Sequence, residues 1–276
     1  MDAGDFDAVR NYGAACGNAI VGFDSLLVRA RKNQMNCISC TRVGAAFITL
    51  LWMTACGSGA EADAEAGFES MFDGRTLDGW SVSSPTAAKA WTVQDGMIVG
   101  RGEKGRSYLV YDRNRQIADF ELKFSYRFPG KGNSGVNIRA RRDETGKRDF
   151  QAYHVDIGDI ETGKEVLGAW DFHTPGRREH ACYRGDHLVI DENDKPTVTP
   201  LEGAVTLDDI QQFGWNQVHV VVSGSNFRFS INGKPASEFT EHLPAERKLD
   251  KGMVQLQLHD PGMVVHFKNL RIKILR

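Results

Sequence analysis

FELKFSYRF, residues 120–128, decides the fold class. Phe120, Leu122, Phe124, Tyr126 and Phe128 alternate without a break with Glu121, Lys123, Ser125 and Arg127. A period of two puts the two sets on opposite sides of a pleated strand, so the segment reads as a strand with one apolar and one polar face. GKGNSG (130–135) interrupts the pattern. VNIRAR (136–141) resumes it, with Val136, Ile138 and Ala140 on one side and Asn137, Arg139 and Arg141 on the other. The two segments together read as a hairpin with a long glycine-rich loop.

The same grammar runs through the rest of the chain. Residues 218–222 and 227–231 flank Ser223-Gly224-Ser225-Asn226, and Asn232-Gly233, the strongest short hairpin signal, turns the chain again. Val254, Leu256 and Leu258 alternate with Gln255, Gln257 and His259, and 264–275 closes with Leu270, Ile272 and Ile274 against Arg271 and Lys273. Only 206–213 suggests one short helix. Many strands without alternating helices predict an all-β chain, a β-sandwich or jelly roll. There is no repeat of solenoid or propeller length. The glycines at 130–135 precede a strand, so they lack the helix N-terminus that makes such a loop bind phosphate.

A hydrophobic fraction of 41% and a formal net charge of -2 over 276 residues are those of a globular protein and call for no nucleic acid. The basic clusters Arg141-Arg142, Lys147-Arg148 and Arg177-Arg178 are short and sit among Gly, Pro and acids, so they read as solvated loops. VGAAFITLLWMTA (43–55) is a long, strongly apolar run without charges. It is too short for a span of roughly 20 residues but suits a signal-peptide core. Its ending LWMTAC resembles a bacterial lipobox, which makes Cys56 the expected lipid acceptor. The expected organisation is a signal peptide over 35–55, a lipidated polar tether over 56–67 and one large domain over 68–276. Residues 1–34 fit neither signal nor domain and are expected to be an upstream over-extension of the reading frame. Cys37-Ile38-Ser39-Cys40 has redox spacing without the strand-to-helix context for it, and Cys182 has no cysteine left to pair with in the body.

Five pieces in order carry a family resemblance: FESMFDGRTLDGW (68–80), WTVQDG (91–96), GNSGV (132–136) with Arg139, residues 252–259, and FKNLRI (267–272). Together they resemble the 3-keto-disaccharide hydrolase domain, over essentially the whole expected mature chain. That resemblance implies a concanavalin A-like jelly roll of two antiparallel sheets, one of them concave, and glycosides oxidised to a ketone at sugar carbon 3 as substrates. The ketone acidifies the carbon-2 hydrogen, so a modest base removes it, the carbon-1 group leaves by β-elimination, and water adds to the enone. Such a site needs a base near its operating pKa, a donor for the enolate oxygen and an acid for the leaving group. It does not need the paired carboxylates of ordinary glycosidases.

In such a jelly roll the polar residues at groove parity are the candidates. YHVDIGD (153–159) sets His154 and Asp156 opposite Tyr153, Val155 and Ile157. His154 or His259 is the expected base, Arg139 the expected partner of the ketone or enolate, and Asp156 the residue that orients a histidine or ligates a cation. Asn133, Asn137, Gln257, Asp171 and His173 are expected sugar contacts, with Trp170 as a stacking platform. No cofactor is required, and a divalent cation at Asp156 is the one group left open. Where the family commonly reads Tyr-Glu-Val-Gln, this chain has Tyr153-His154-Val155-Asp156, so a histidine stands in for a glutamate. Two rival functions remain. His154-Val155-Asp156-Ile157-Gly158-Asp159 has the spacing of the laminarinase Glu-x-Asp-x-x-Glu motif with both catalytic ends altered, and a lectin-like surface module would use the same groove without turnover. The expected partners are the keto sugar and the oxidoreductase that makes it. The expected location is the bacterial cell envelope, on its periplasmic or outer-membrane face, with the lipid as the sole membrane contact.

Overall fold

The computed structural model describes residues 66–275, apart from 104–105, 162, 164–165 and 175–181. The expected signal peptide, Cys56, the tether up to residue 65 and the segment 1–34 lie outside the described residues. The first strands are β1 (Glu69–Ser70), β2 (Trp80–Val82), β3 (Trp91–Gln94), β4 (Met97–Arg101) and β5 (Ser107–Tyr111). Next come β6 (Phe120–Arg127), β7 (Asn133–Arg142), β8 (Phe150–Gly158), β9 (Trp170–His173), β10 (Asp186–Ile190) and β11 (Pro196–Pro200). The chain ends with β12 (Asn216–Ser223), β13 (Asn226–Ile231), β14 (Lys234–Glu241), β15 (Met253–Leu258) and β16 (Val264–Ile274).

These strands form two sheets, as the alternation predicts. The larger runs β11-β10-β14-β13-β12-β6-β16-β4-β3, with β1 added on β16, and the smaller runs β2-β5-β15-β7-β8-β9. Neighbours are antiparallel, except that β10 lies parallel to β14. The core fills the space between the sheets. Phe120, Leu122, Phe124 and Tyr126 of β6 and Val218, Val220 and Val222 of β12 face inward from one side, with Val136, Ile138, Tyr153, Val155 and Ile157 inward from the other, all buried. Asn232 and Gly233 both adopt positive φ, 51° and 80°, which is the turn geometry an Asn-Gly pair favours between β13 and β14.

Two expected local features come out differently. β6 pairs with β12 and β16 in the large sheet, whereas β7 pairs with β15 and β8 in the small one. The glycine-rich link is therefore a crossing between layers and not a hairpin loop. Both strands bury an apolar face in the same core, so alternation fits either arrangement. At 206–213 the expected helix is a single 3-10 turn, Leu207–Asp209, closed by a reciprocal capping box between Thr206 and Asp209.

Trp170, expected as a sugar platform, is buried in the core instead. It meets Phe239 edge-on at 5.1 Å and Phe227 at 5.9 Å, and its indole N–H donates to Ser237 O at 3.2 Å. Period two explains this, since Trp170 and Phe172 share the inner face of β9 while Asp171 and His173 share the outer one. Cys182 is buried nearby, and its thiol donates to Glu238 O at 3.3 Å.

Arg139 is also displaced from its expected place. The β7 registers with β8 and β15 both shift around it, and it adopts φ 47°, a bulge that turns its side chain off the groove face. Its guanidinium donates to Ala118 O, Leu249 O and Gly224 O at 2.9–3.0 Å, pairs with Asp119 at 2.9 Å, and lies 5.0 Å from the Phe227 ring centroid. A group with its donors committed to carbonyls it holds together is a clamp, not a ligand for the enolate. Replacing it orphans several buried acceptors, so Arg139→Met is expected to lower unfolding free energy by about 3 kcal/mol or more in urea titration. An unchanged denaturation midpoint would contradict the clamp.

Candidate functional site

The outer face of the small sheet carries a polar row whose members come from successive strands. Gln255 lies opposite Asn137, Asn137 opposite His154, and His154 opposite Asp171. Directly paired residues share a face, so the four side chains line up across β15, β7, β8 and β9. Gln257 and Tyr108 lie opposite each other one step along. His154, Asp156, Asn137, Gln255 and Gln257 are all nearly inaccessible, at 3% exposure or less.

Their burial follows from the bulge. Phe150, where the β7–β8 hairpin returns from its tip, meets Tyr108 of β5 edge-on at 5.2 Å, although two strands of the sheet separate their elements. The bent hairpin thus curls back over the sheet and roofs the row. Under the roof lies a cavity of about 400 Å³ lined by Arg106, Tyr108, Lys147, Arg148, Phe150 and His173 among others.

Hydrogen bonds fix the protonation of the row. Asn137 Nδ2 donates to Gln255 Oε1 at 2.9 Å, which leaves Asn137 Oδ1 to accept from His154 Nδ1 at 2.7 Å. The neutral His154 ring therefore carries its proton on Nδ1, with Nε2 3.5 Å from Asp156 Oδ1. Burial, reinforced by the neighbouring His173, pushes its pKa well below 6.5, against the pull of Asp171. The ring stacks on His173 with centroids 5.0 Å apart and planes 21° apart. His173 Nε2–H donates to Asp171 at 2.8 Å, leaving Nδ1 as the atom able to take a proton.

Gly135 makes room for this arrangement. It lies opposite Asp156, and a Cβ added to it would stand 2.0 Å from His154 Nε2 and 2.6 Å from Val155 O. The last glycine of GNSG is thus required by close approach of an imidazole, in a backbone conformation open to any residue.

The remaining candidates divide clearly. Asn133 sits at groove parity at the start of β7, half-buried opposite Gly158. His259, past the end of β15, accepts from Arg106 at Nε2 (2.8 Å) and donates from Nδ1 to Asp260 (2.6 Å), so its lone pair is already in use. Asp159 closes the interlayer crossing by accepting from the Gly132 and Glu161 amides. Among the described residues no three His, Cys, Asp or Glu side chains converge as a metal-binding group. Arg106, Tyr108 and Gln255 went unread in the sequence. Gln255 shares its parity with Gln257 and was accessible to the same reasoning, whereas nothing in the pattern around Arg106 marks it.

Residues 67–273 match the family described as the 3-keto-alpha-glucoside-1,2-lyase-like domain. The chain belongs to this family. Membership supports a carbohydrate-active function, and it agrees with the family the five sequence pieces resemble. No curated protein matches the chain. Among solved structures, a protein from Parabacteroides distasonis provisionally described as a glycosyl hydrolase is 21% identical, with 78% of this chain and 97% of that chain covered and a TM-score of 0.50. A second such protein from that organism is 17% identical, covering 75% and 99%, with a TM-score of 0.48. The carbohydrate-binding module CBM66 from Bacillus subtilis is 14% identical, covering 71% and 95%, at 0.44. At these identities the first likeness concerns fold alone, and the two lower scores carry no argument.

Two measurements check the site. Gly135→Ala forces the His154 ring aside, so the variant should lose the His154–Asn137 hydrogen bond, seen as a changed tautomer signal in imidazole nitrogen NMR; an unaltered signal would contradict the close approach. Because the folded pKa of His154 lies below its unfolded value, the unfolded chain binds the extra proton first. Its contribution is therefore intact above about pH 6.5 and is lost as pH falls through the window beneath, at up to about 1.4 kcal/mol per pH unit. His154→Gln should flatten that slope, and an equally steep slope in the variant would assign it to other groups.

Proposed function

We propose that the protein cleaves 3-keto-glycosides by removing the carbon-2 proton, expelling the carbon-1 group and hydrating the enone. The observation that carries this reading is the stacked pair His154–His173, one ring held neutral by burial and the other bordering the cavity with Asp171 on its Nε2. Proton abstraction beside a ketone asks for a neutral imidazole with a free lone pair, and His173 Nδ1 offers one at the cavity wall. His154, held neutral by burial and stacked on it at 5.0 Å, acts through it by keeping its ring in place. This moves the base from His154 to its neighbour, because His154 itself does not border the cavity.

The other roles follow from position. As the C2–H bond breaks, its electrons form the C2–C3 double bond and charge develops on the C3 oxygen, where Arg106 supplies the cation that Arg139 cannot. The electrons then return, the C1–O bond breaks, and Tyr108 gives the leaving oxygen its proton. Gln257 Nε2 donates to the Tyr108 hydroxyl oxygen at 3.5 Å, which leaves the phenol proton directed elsewhere. Gln255 Nε2 is buried with no acceptor among the described residues, but like His154 and Asn133 it does not border the cavity, so neither amide is given a sugar contact. The keto substrate implies an oxidoreductase upstream. With Cys56 lipidated, the protein would meet that substrate in the cell envelope.

The rivals lack support at the same points. A laminarinase-type mechanism needs a carboxylate where His154 stands, and the lectin-like reading loses its stacking surface to the core with Trp170. Purified protein is expected to release aglycone from a 3-keto-glucoside and leave the unoxidised parent intact; the reverse, or release from neither, would overturn the proposal. Carbon-2 deuterium exchange in the keto substrate should fall at least about 100-fold in His173→Ala. Exchange that survives in His173→Ala but vanishes in His154→Ala would return the base to His154.

A further inference from the structure

The outer face of the large sheet, on the far side of the sandwich from the cavity, is unevenly charged. Along β6 and β16 its outward parity carries Lys123, Arg127, Lys268, Arg271 and Lys273 against one carboxylate, Glu121. Glu121 is itself shared, accepting from His219 at 2.9 Å and lying 3.7 Å from Lys273. The whole chain has a formal charge of -2, so this excess of cations is local. Aromatic rings stand among them. Lys268 Nζ lies 4.0 Å and the Arg127 guanidinium 4.8 Å from the Trp215 ring centroid, and Lys123 and Lys273 lie 4.5 Å and 5.9 Å from that of Phe68. Phe213, in the loop that leads to Trp215, is 56% exposed. Phe68 also marks where the chain enters the domain, since a Cβ on the preceding Gly67 would stand 3.5 Å from Lys273 Cε.

We propose that this face docks on a bilayer of anionic phospholipid headgroups, with its lysines and arginines over the phosphates and Trp215 and Phe213 at the interface. Two observations favour a lipid surface over other polyanions. Aromatic rings set among Lys and Arg make up the composition of an interfacial contact. The domain is also entered at this face, and a lipid on Cys56, as proposed above, would hold Phe68 within about 40 Å of the headgroups even with the intervening residues at full stretch. The charge acts with or without that lipid, so the two readings are separable. Each basic side chain close to an anionic membrane strengthens attachment by about fivefold, and several on one face add up to a firm but salt-sensitive contact. Docking by the large sheet leaves the His173 cavity, on the outer side of the small one, turned toward the solution from which substrate arrives.

The test is lysine footprinting on the full chain carrying Cys56→Ser, which has no site for the lipid. The protein is mixed with vesicles of phosphatidylglycerol and phosphatidylcholine in about equal parts, or of phosphatidylcholine alone, and acetylation of each lysine is read by mass spectrometry. Residues 43–55 can draw the chain to either vesicle, and a site-by-site readout is indifferent to that. Lys268 and Lys273 should lose at least about fivefold in reactivity on anionic vesicles, keep it on neutral ones, and regain it as salt rises to about 500 mM. Lys147, on the β7–β8 loop of the other sheet, should react equally in every case. With Lys268→Gln and Lys273→Gln together, roughly 20-fold more anionic lipid should be needed to protect Lys123 to the same degree. Protection of Lys147 as strong as that of Lys268, equal protection by neutral vesicles, or no protection at all overturns the proposal. Shielding by soluble dextran sulfate without shielding by vesicles overturns it as well, and assigns the face to a soluble polyanion.

Discussion

The bulge at Arg139 is the constraint on which the site depends. A regular β7–β8 hairpin would extend the small sheet and leave its outer face open. The register shifts and the positive φ at Arg139 bend it, and the bend brings Phe150 back onto Tyr108. Left-handed backbone in a non-glycine residue is costly and persists only where surroundings repay it. Three carbonyls and Asp119 do so by gathering around the guanidinium. One residue thus fastens the bend at the inner side while its consequence, a roofed cavity, lies on the outer side. Gly252 supports the same junction, since a Cβ there would approach the Arg139 and Ala140 backbone to about 2.4 Å.

Beneath the roof, period two does the sorting. Each strand of the small sheet gives one parity to the core and the other to the polar row, so the same alternation that stabilises the sandwich assembles the site. Tyr153 illustrates the inner set, its ring 4.7 Å from Phe227 and its hydroxyl on Glu241 and the Leu249 amide. His154, next in sequence, faces the opposite way among Asn137, Asp156 and His173. Polar side chains this deeply buried are tolerable because they bond to one another, and that mutual satisfaction sets which nitrogen of each imidazole holds the proton.

Much of this was readable in the sequence because alternation is a local property. The all-β class, the strand-turn-strand pattern around Asn232-Gly233, and the shared face of His154 with Asp156 and of Gln257 with its neighbours required nothing beyond parity. Failures occurred where parity is broken or is silent about partners. Arg139 was assigned the groove face by counting from Asn137, and a bulge makes such counting fail by one side. Trp170 is expected at the groove as a platform, although WDFH (170–173) read as a strand sends it inward. The crossing at 130–135 resembled a hairpin loop because two strands from different sheets that share a core alternate like two strands of one sheet. Arg106 and the Lys147-Arg148 loop have no periodic signature, and only the fold brings them together.

The contact between Gly135 and His154 bears on how this sequence can drift. The imidazole occupies the volume that any side chain at 135 would require, so the two positions behave as one unit of fixed combined size. A lineage that shortened residue 154 would release 135 to vary, and one that kept the imidazole could not. The glycine of GNSG and the histidine of YHVD, nineteen positions apart in a chain of 276, are therefore a linked pair of characters, inherited or lost together.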